Sequence, residues 1–152
     1  MPNERTKKQR EAWNRFADVG RAMLVGSASI LPRKGGAERL RAGSCLIAVK
    51  LADALLKRAI PEERPDREDD KSFPSEHAAE CAAAAIIIQR EYGKAAGGLA
   101  CALAGAVAAS RIASRKHHPH DVLAGALIGC ASVWLSLRIH VATERKLLRL
   151  IS

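Results

Sequence analysis

The chain has 152 residues, 48% of them hydrophobic but only 3% aromatic, which is enough apolar content for one packed domain. That fraction excludes intrinsic disorder, and the sequence carries neither a collagen repeat nor a framework of closely spaced cysteines. Lys and Arg outnumber Asp and Glu by 25 to 16, a formal charge of +9, so an anionic partner is expected: nucleic acid, an anionic membrane surface or a phosphorylated substrate.

Residues 1–36 read as a basic N-terminal segment. Met1 to Arg15 is charged throughout and does not have the form of a secretory signal. An amphipathic run around Trp13 and Phe16 leads into the short apolar stretch Ala22–Leu31, too short to cross a bilayer, so a short interfacial helix is expected there. The Pro32–Gly36 cluster reads as a turn.

Residues 37–142 form the expected core. Cys45 to Ile60 is apolar, interrupted by Lys50 and Asp53, and closes at Pro61; residues 61–73 are a loop dense in charge. Three more helices follow, over Ser75–Glu91, Lys94–Ile112 and Pro119–His140, and a basic tail with Arg145, Lys146 and Arg149 occupies 143–152. No strand-like alternation survives inspection. The expected class is therefore all-α, a bundle of about five helices. Cys45, Cys81, Cys101 and Cys130 form no CxxC pair and read as small buried apolar residues.

Hydropathy alone leaves the membrane question open. The uninterrupted apolar runs are shorter than the ~20 residues of a spanning helix, and mean hydropathy is −0.08. Against that, Gly125 and Gly129 form a GxxxG, and Gly97, Gly98, Gly105 and Ala109 put small residues on helix faces, as in tightly packed membrane helices.

Three charged clusters interrupt the apolar pattern: Lys57 with Arg64-Pro65, Pro74-Ser75-Glu76-His77, and Ser110-Arg111 followed by His117 and Asp121. Short connections in an up-down bundle put all three at one end. Ser75 suits the N-cap of its helix, whose free N–H groups form a phosphate cradle with the positive end of the dipole. Pro119 suits the first position of the last helix. Asp121 then lies in the first turn, where it would accept an imidazole N–H from His117 and leave the opposite nitrogen free to attack. Lys57, Arg64 and Arg111 would neutralise phosphoryl oxygens. Singly, each residue has an ordinary structural reading. A metal at His117, His118 and His120 is not expected, because no matching carboxylate or cysteine ligand lies nearby in the chain.

The order K-x6-R-P (Lys57 to Pro65), P-S-x-H (Pro74 to His77) and S-R-x5-H-x3-D (Ser110 to Asp121) resembles the type-2 phosphatidic acid phosphatase family, whose superfamily includes bacterial acid phosphatases and vanadium haloperoxidases. The resemblance covers roughly residues 45–140 and includes Val122-Leu123-Ala124-Gly125 after the last motif. It implies that His117 is a nucleophile forming a phosphohistidine, that Asp121 orients it, and that His77 is the general acid and then base. It also implies that Lys57, Arg64, Arg111 and Ser75 bind phosphate, with no cofactor or metal. One position departs from the pattern: Glu76 stands where the family has glycine, free to point away from the site or to pair with Arg64 or Arg111.

By this resemblance the protein is expected to be an integral membrane phosphatase of a lipid phosphate or polyprenyl (di)phosphate, with no nucleic-acid partner. Four spanning helices would place both basic termini on the cytoplasmic side of a bacterial inner membrane and the site facing outward. The alternatives are a soluble acid phosphatase or vanadate-dependent oxidase on the same core, and a non-catalytic basic helical protein binding nucleic acid or anionic lipid. The near-absence of aromatic residues counts against nucleic acid.

Overall fold

Long segments rich in Ala, Leu and Ile, broken by glycine and proline, coil into five helices: α1 (Glu4–Ile30), α2 (Gly36–Ala59), α3 (Glu76–Tyr92), α4 (Lys94–Ala113) and α5 (Pro119–Ile151). The computed structural model describes residues 4–30 and 35–151, and side chains of 4–30, 35–36 and 38–140. Among the described residues the only extended pairing is an isolated bridge between Glu62 and Lys71. The all-α expectation holds.

Helix α3 is the central member. It is buried along most of its length, from Ala78 to Ile88, and packs against every other helix. Its alanines allow close approach: a side chain on Gly125 or Gly129 of α5 would bring Cβ within 2.3 Å of the Ser75 carbonyl oxygen or 2.2 Å of that of Ala79. The GxxxG is thus the seam along which α5 lies on α3. Gly97 plays the same part between α4 and α3, where Cβ would meet Gln89 at 2.4 Å.

The directions of the helices follow from these contacts. Asp18 and Arg21 of α1 reach His77 and Glu80 of α3, so α1 and α3 run parallel. Asn14 and Gly20 meet Arg111 and Val107, so α1 and α4 run antiparallel. Helix α5 runs parallel to α3 through the glycine seam. The ends of α2 and α4 and the starts of α3 and α5 therefore share one end of the bundle, as the short connections imply.

Several expectations are corrected. Helix α1 is one continuous helix, not a short interfacial one: Ala17, Gly20, Leu24 and Ala28 form a buried stripe at helical spacing that the surrounding polar residues mask in the sequence. Because α1 begins at the same end as the charged clusters and α5 finishes at the other, the start of α1 and the end of α5 lie at opposite ends of the bundle. They do not share a side. Helix α2 starts at Gly36, well before Cys45. The backbone of 143–151 continues α5, while the side chains of Arg145, Lys146 and Arg149, and the turn residues Pro32–Lys34, lie outside the described residues. Cys45 and Cys81 are buried free thiols, but Cys101 and Cys130 are exposed on the apolar outer faces of α4 and α5.

Candidate active site

The charged loop between α2 and α3 is ordered by its own backbone. Glu62 N–H donates to the Asp70 carbonyl, Ser72 N–H to that of Glu62, and Arg64 N–H to that of Asp69, at 2.9, 2.9 and 3.0 Å. Folded this way, it delivers Ser72 and Arg64 to the junction between α4 and α5, where His117 lies.

His117 is 3% exposed. Its Nδ1 stands 2.7 Å from the backbone carbonyl oxygen of Ser72. A carbonyl only accepts, so Nδ1 carries the proton and Nε2 carries the lone pair. Burial pushes the imidazole down from the usual histidine range to about 4, and the Arg111 guanidinium adds to the shift. The result is a neutral imidazole with one fixed tautomer.

This corrects the expected His117–Asp121 hydrogen bond. Asp121 Oδ2 is 3.8 Å from His117 Nδ1 and instead accepts from Ser72 Oγ at 2.5 Å and from the His118 N–H at 2.7 Å. The first-turn carboxylate is drawn to the His118 N–H just ahead of its helix and to the loop hydroxyl, so it reaches His117 through Ser72 and by its charge rather than by a hydrogen bond. Ser72, which no motif marks, therefore holds both the nucleophile candidate and its carboxylate. The signal for it was positional alone: a serine at the close of a loop leading into Pro74-Ser75.

Ser75 is the N-cap of α3, as expected, with its Oγ accepting from the Ala78 N–H at 3.5 Å. Its own N–H donates to the Asp121 carbonyl oxygen at 3.0 Å. The cradle is thus smaller than expected, because the Ala78 N–H is already engaged by the cap.

The cations divide into two groups. Arg111, 7% exposed, donates from Nη1 to Asn14 Oδ1 at 3.0 Å, and its Nε is buried without a hydrogen-bond partner. Arg64 and Arg111 both act electrostatically on His117, and Arg64 on Arg111, so two guanidiniums bear on the imidazole. Arg64 is held from its other side by Asp69 at 2.6 Å. Lys57, by contrast, is drawn to Asp53 at 2.7 Å, one helical turn earlier, and lies 3.7 Å from Glu76. His77 lies near Arg111 but donates from Nε2 to Asp18 of α1 at 2.9 Å.

Glu76 does not pair with Arg64 or Arg111. It turns outward to Lys50 at 2.9 Å, and to Arg21 and Lys57 at 3.7 Å. Asn14, Asp18 and Arg21 all come from the segment that the sequence presents as a separate N-terminal element. Their contribution became visible only once α1 joined the bundle.

The profile of the PAP2 superfamily matches residues 52–145, more than half of the chain. The chain belongs to the PAP2 superfamily. All three motifs of this PAP2 protein lie within the matched segment, whereas α1, with Asn14 and Asp18, lies outside it. Among solved structures it is similar to a transmembrane PAP2-type phosphatidylglycerolphosphate phosphatase from Bacillus subtilis, with a TM-score of 0.68 and 22% identity. The superposition covers 88% of this chain and 77% of the other, and at that identity the likeness is one of fold. Among curated proteins no sequence matches significantly.

Proposed function

We propose that this PAP2 protein is a membrane-embedded, metal-independent phosphatase acting on a lipid phosphate or polyprenyl (di)phosphate. Membership of the superfamily supports phosphatase activity. The observation that carries the mechanism is the His117 imidazole: proton held on Nδ1 by the Ser72 carbonyl, lone pair on Nε2, beside two arginines.

In the first half-reaction His117 Nε2 attacks phosphorus, a P–N bond forms, and the P–O bond to the alcohol or phosphate leaving group breaks. His77, entering as the imidazolium with one N–H on Asp18, gives that oxygen its other proton. In the second, water attacks phosphorus as His77 takes a proton back, and the P–N bond breaks to release phosphate. Arg111, with its unpartnered Nε, and Arg64 bear the negative charge that gathers on the phosphoryl oxygens. Lys57 joins them as Asp53 and Glu76 release it, and Ser75 with the N-terminus of α3 completes the anion site.

Membrane embedding draws support from the outer surfaces of α4 and α5. The segments Lys94–Ala113 and Pro119–His140 are long and apolar enough to cross a bilayer, with mean hydropathies of 1.5 and 1.8, yet only 28% and 22% of their apolar windows are buried. Core helices of a soluble bundle would be largely covered. Here Leu99, Leu123, Leu127 and Trp134 face outward.

The deciding experiment is phosphate release by detergent-purified protein in EDTA, from phosphatidic acid and from a polyprenyl diphosphate, beside His117→Ala. Turnover in the wild type and its disappearance in a variant with unchanged helical circular dichroism is the expected result. Substantial activity in His117→Ala would remove His117 as nucleophile.

A further inference from the structure

The loop that delivers Ser72 also carries Glu62 to the first turn of α5. There it meets two histidines that no step of the proposed hydrolysis uses. Glu62 Oε1 lies 2.7 Å from His120 Nε2 and 3.3 Å from His118 Nδ1. Asp121 Oδ1 lies 3.1 Å from His120 Nε2. One ligand atom from each of Glu62, His118, His120 and Asp121 lies within 4.8 Å of all the others. The two imidazole rings are stacked, nearly parallel at 12° with centroids 5.2 Å apart.

The Asp121 carboxylate is what distinguishes this cluster from an ordinary surface group of histidines and acids. Its side chain is wholly buried, its Oδ2 is fully occupied by Ser72 and the His118 N–H, and its Oδ1 makes no hydrogen bond. A buried carboxylate oxygen left without a donor forgoes its hydration with nothing in return. Here it faces His120 Nε2 at 3.1 Å, in the cluster with Glu62 and His118, where a cation would complete it.

We infer that Glu62, His118, His120 and Asp121 form a zinc-binding site at the rim of the active site. Two imidazole nitrogens and two carboxylate oxygens are a donor set suited to Zn²⁺ and unsuited to Mg²⁺, which prefers oxygen ligands and water. A tetrahedral ion with bonds of about 2.0–2.1 Å sets its ligand atoms about 3.3 Å apart. Three of the six separations, 2.7, 3.1 and 3.3 Å, are at or just below that value, and the others, within 4.8 Å, would close onto the ion. Binding displaces the proton from each nitrogen used. The ion ties the loop that carries Arg64 to the start of α5, while Asp121 Oδ2 keeps its bond to Ser72. Chain spacing alone could not show the site, because the fourth side chain, Glu62, comes from the far side of α3 and α4.

The test is zinc titration of the metal-stripped, detergent-purified full chain, by calorimetry or against a chromophoric chelator, with Mg²⁺ as a control. Expected are one Zn²⁺ per chain, no Mg²⁺ uptake, and an affinity more than about tenfold weaker in both His120→Ala and Glu62→Gln. Those side chains are 60% and 28% exposed, so the variants fold, and both retain phosphate release in EDTA. X-ray absorption of the one-equivalent complex should give two imidazoles and oxygen ligands. Failure of the wild type to take up zinc at micromolar metal, or undiminished affinity in both variants, would overturn the assignment. Because the readout is zinc binding, either outcome leaves the test of His117 as nucleophile unaffected.

Discussion

Ser72 links the two groups that the proposed chemistry depends on. Its carbonyl sets the His117 tautomer and its hydroxyl holds the Asp121 carboxylate. Ser72→Ala keeps the carbonyl and removes the hydroxyl, leaving Asp121 Oδ2 with the His118 N–H alone. The expected outcome is a stability loss of about 1–3 kcal/mol in thermal unfolding, together with a lower kcat at nearly unchanged KM. A raised KM with unaltered kcat would mean that Asp121 bears on substrate binding instead. At Glu76, partly exposed pairs to Lys50, Arg21 and Lys57 contribute little to stability, about 1 kcal/mol or less. Glu76→Gln should therefore fold normally, leave Lys57 restrained by Asp53 alone and, with one negative charge fewer near the phosphate site, lower KM. Unchanged KM across a range of salt would show that Glu76 does not restrain Lys57.

The seam between α3 and α5 decides the site's geometry at the level of helices. Gly125 and Gly129 let α5 lie against the α3 backbone, and that contact is what lets the Ser75 N–H reach the Asp121 carbonyl at 3.0 Å. Gly129→Val would force Cβ into the Ala79 carbonyl, an overpacking cost of about 1–3 kcal/mol or more. It should lower the melting temperature and depress phosphate release. Gly98, where a side chain would meet no neighbouring element within 4 Å, is the control: Gly98→Ala should lower neither. Equal tolerance at both positions would mean that α5 is not seated as described. The same α5 begins at Pro119, where the sequence placed it, because proline's fixed φ and missing N–H suit the first helical position.

Over the whole molecule, α4 and α5 differ from the other helices. Among the described residues, ion pairs through Arg21, Lys50 and Glu80 join α1, α2 and α3, while α4 and α5 present leucines and Trp134 outward; α1 and α2 expose apolar side chains as well, among them Met23, Ile47 and Leu51. Of the four helices expected to span, two reach the length and hydropathy of a spanning segment on their own. The interior charges of α2 and α3 are neutralised by ion pairing inside the bundle. Membrane fractionation should find the protein released by detergent but not by high salt. A peripheral protein held only by its +9 charge would come off in salt, since ionic attraction is screened. Release by salt alone would overturn the embedded reading.

Helix content, the bounds of α3, the start of α5, the N-cap at Ser75 and the gathering of three motifs at one end were all legible in the chain, whereas the continuation of α5 past His140 was not. Each depends on local rules: small-residue helix formers, capping residues, proline at a first turn, and short connections. Who partners whom was not legible, since that depends on contacts between residues far apart in sequence. Asp121 turning to Ser72, Lys57 to Asp53 and His77 to Asp18 are choices among several nearby groups of suitable charge. The membership of α1 escaped for a related reason. Its buried stripe of Ala17, Gly20, Leu24 and Ala28 is only one face of a largely polar helix, and only packing against α3 and α4 shows which face matters.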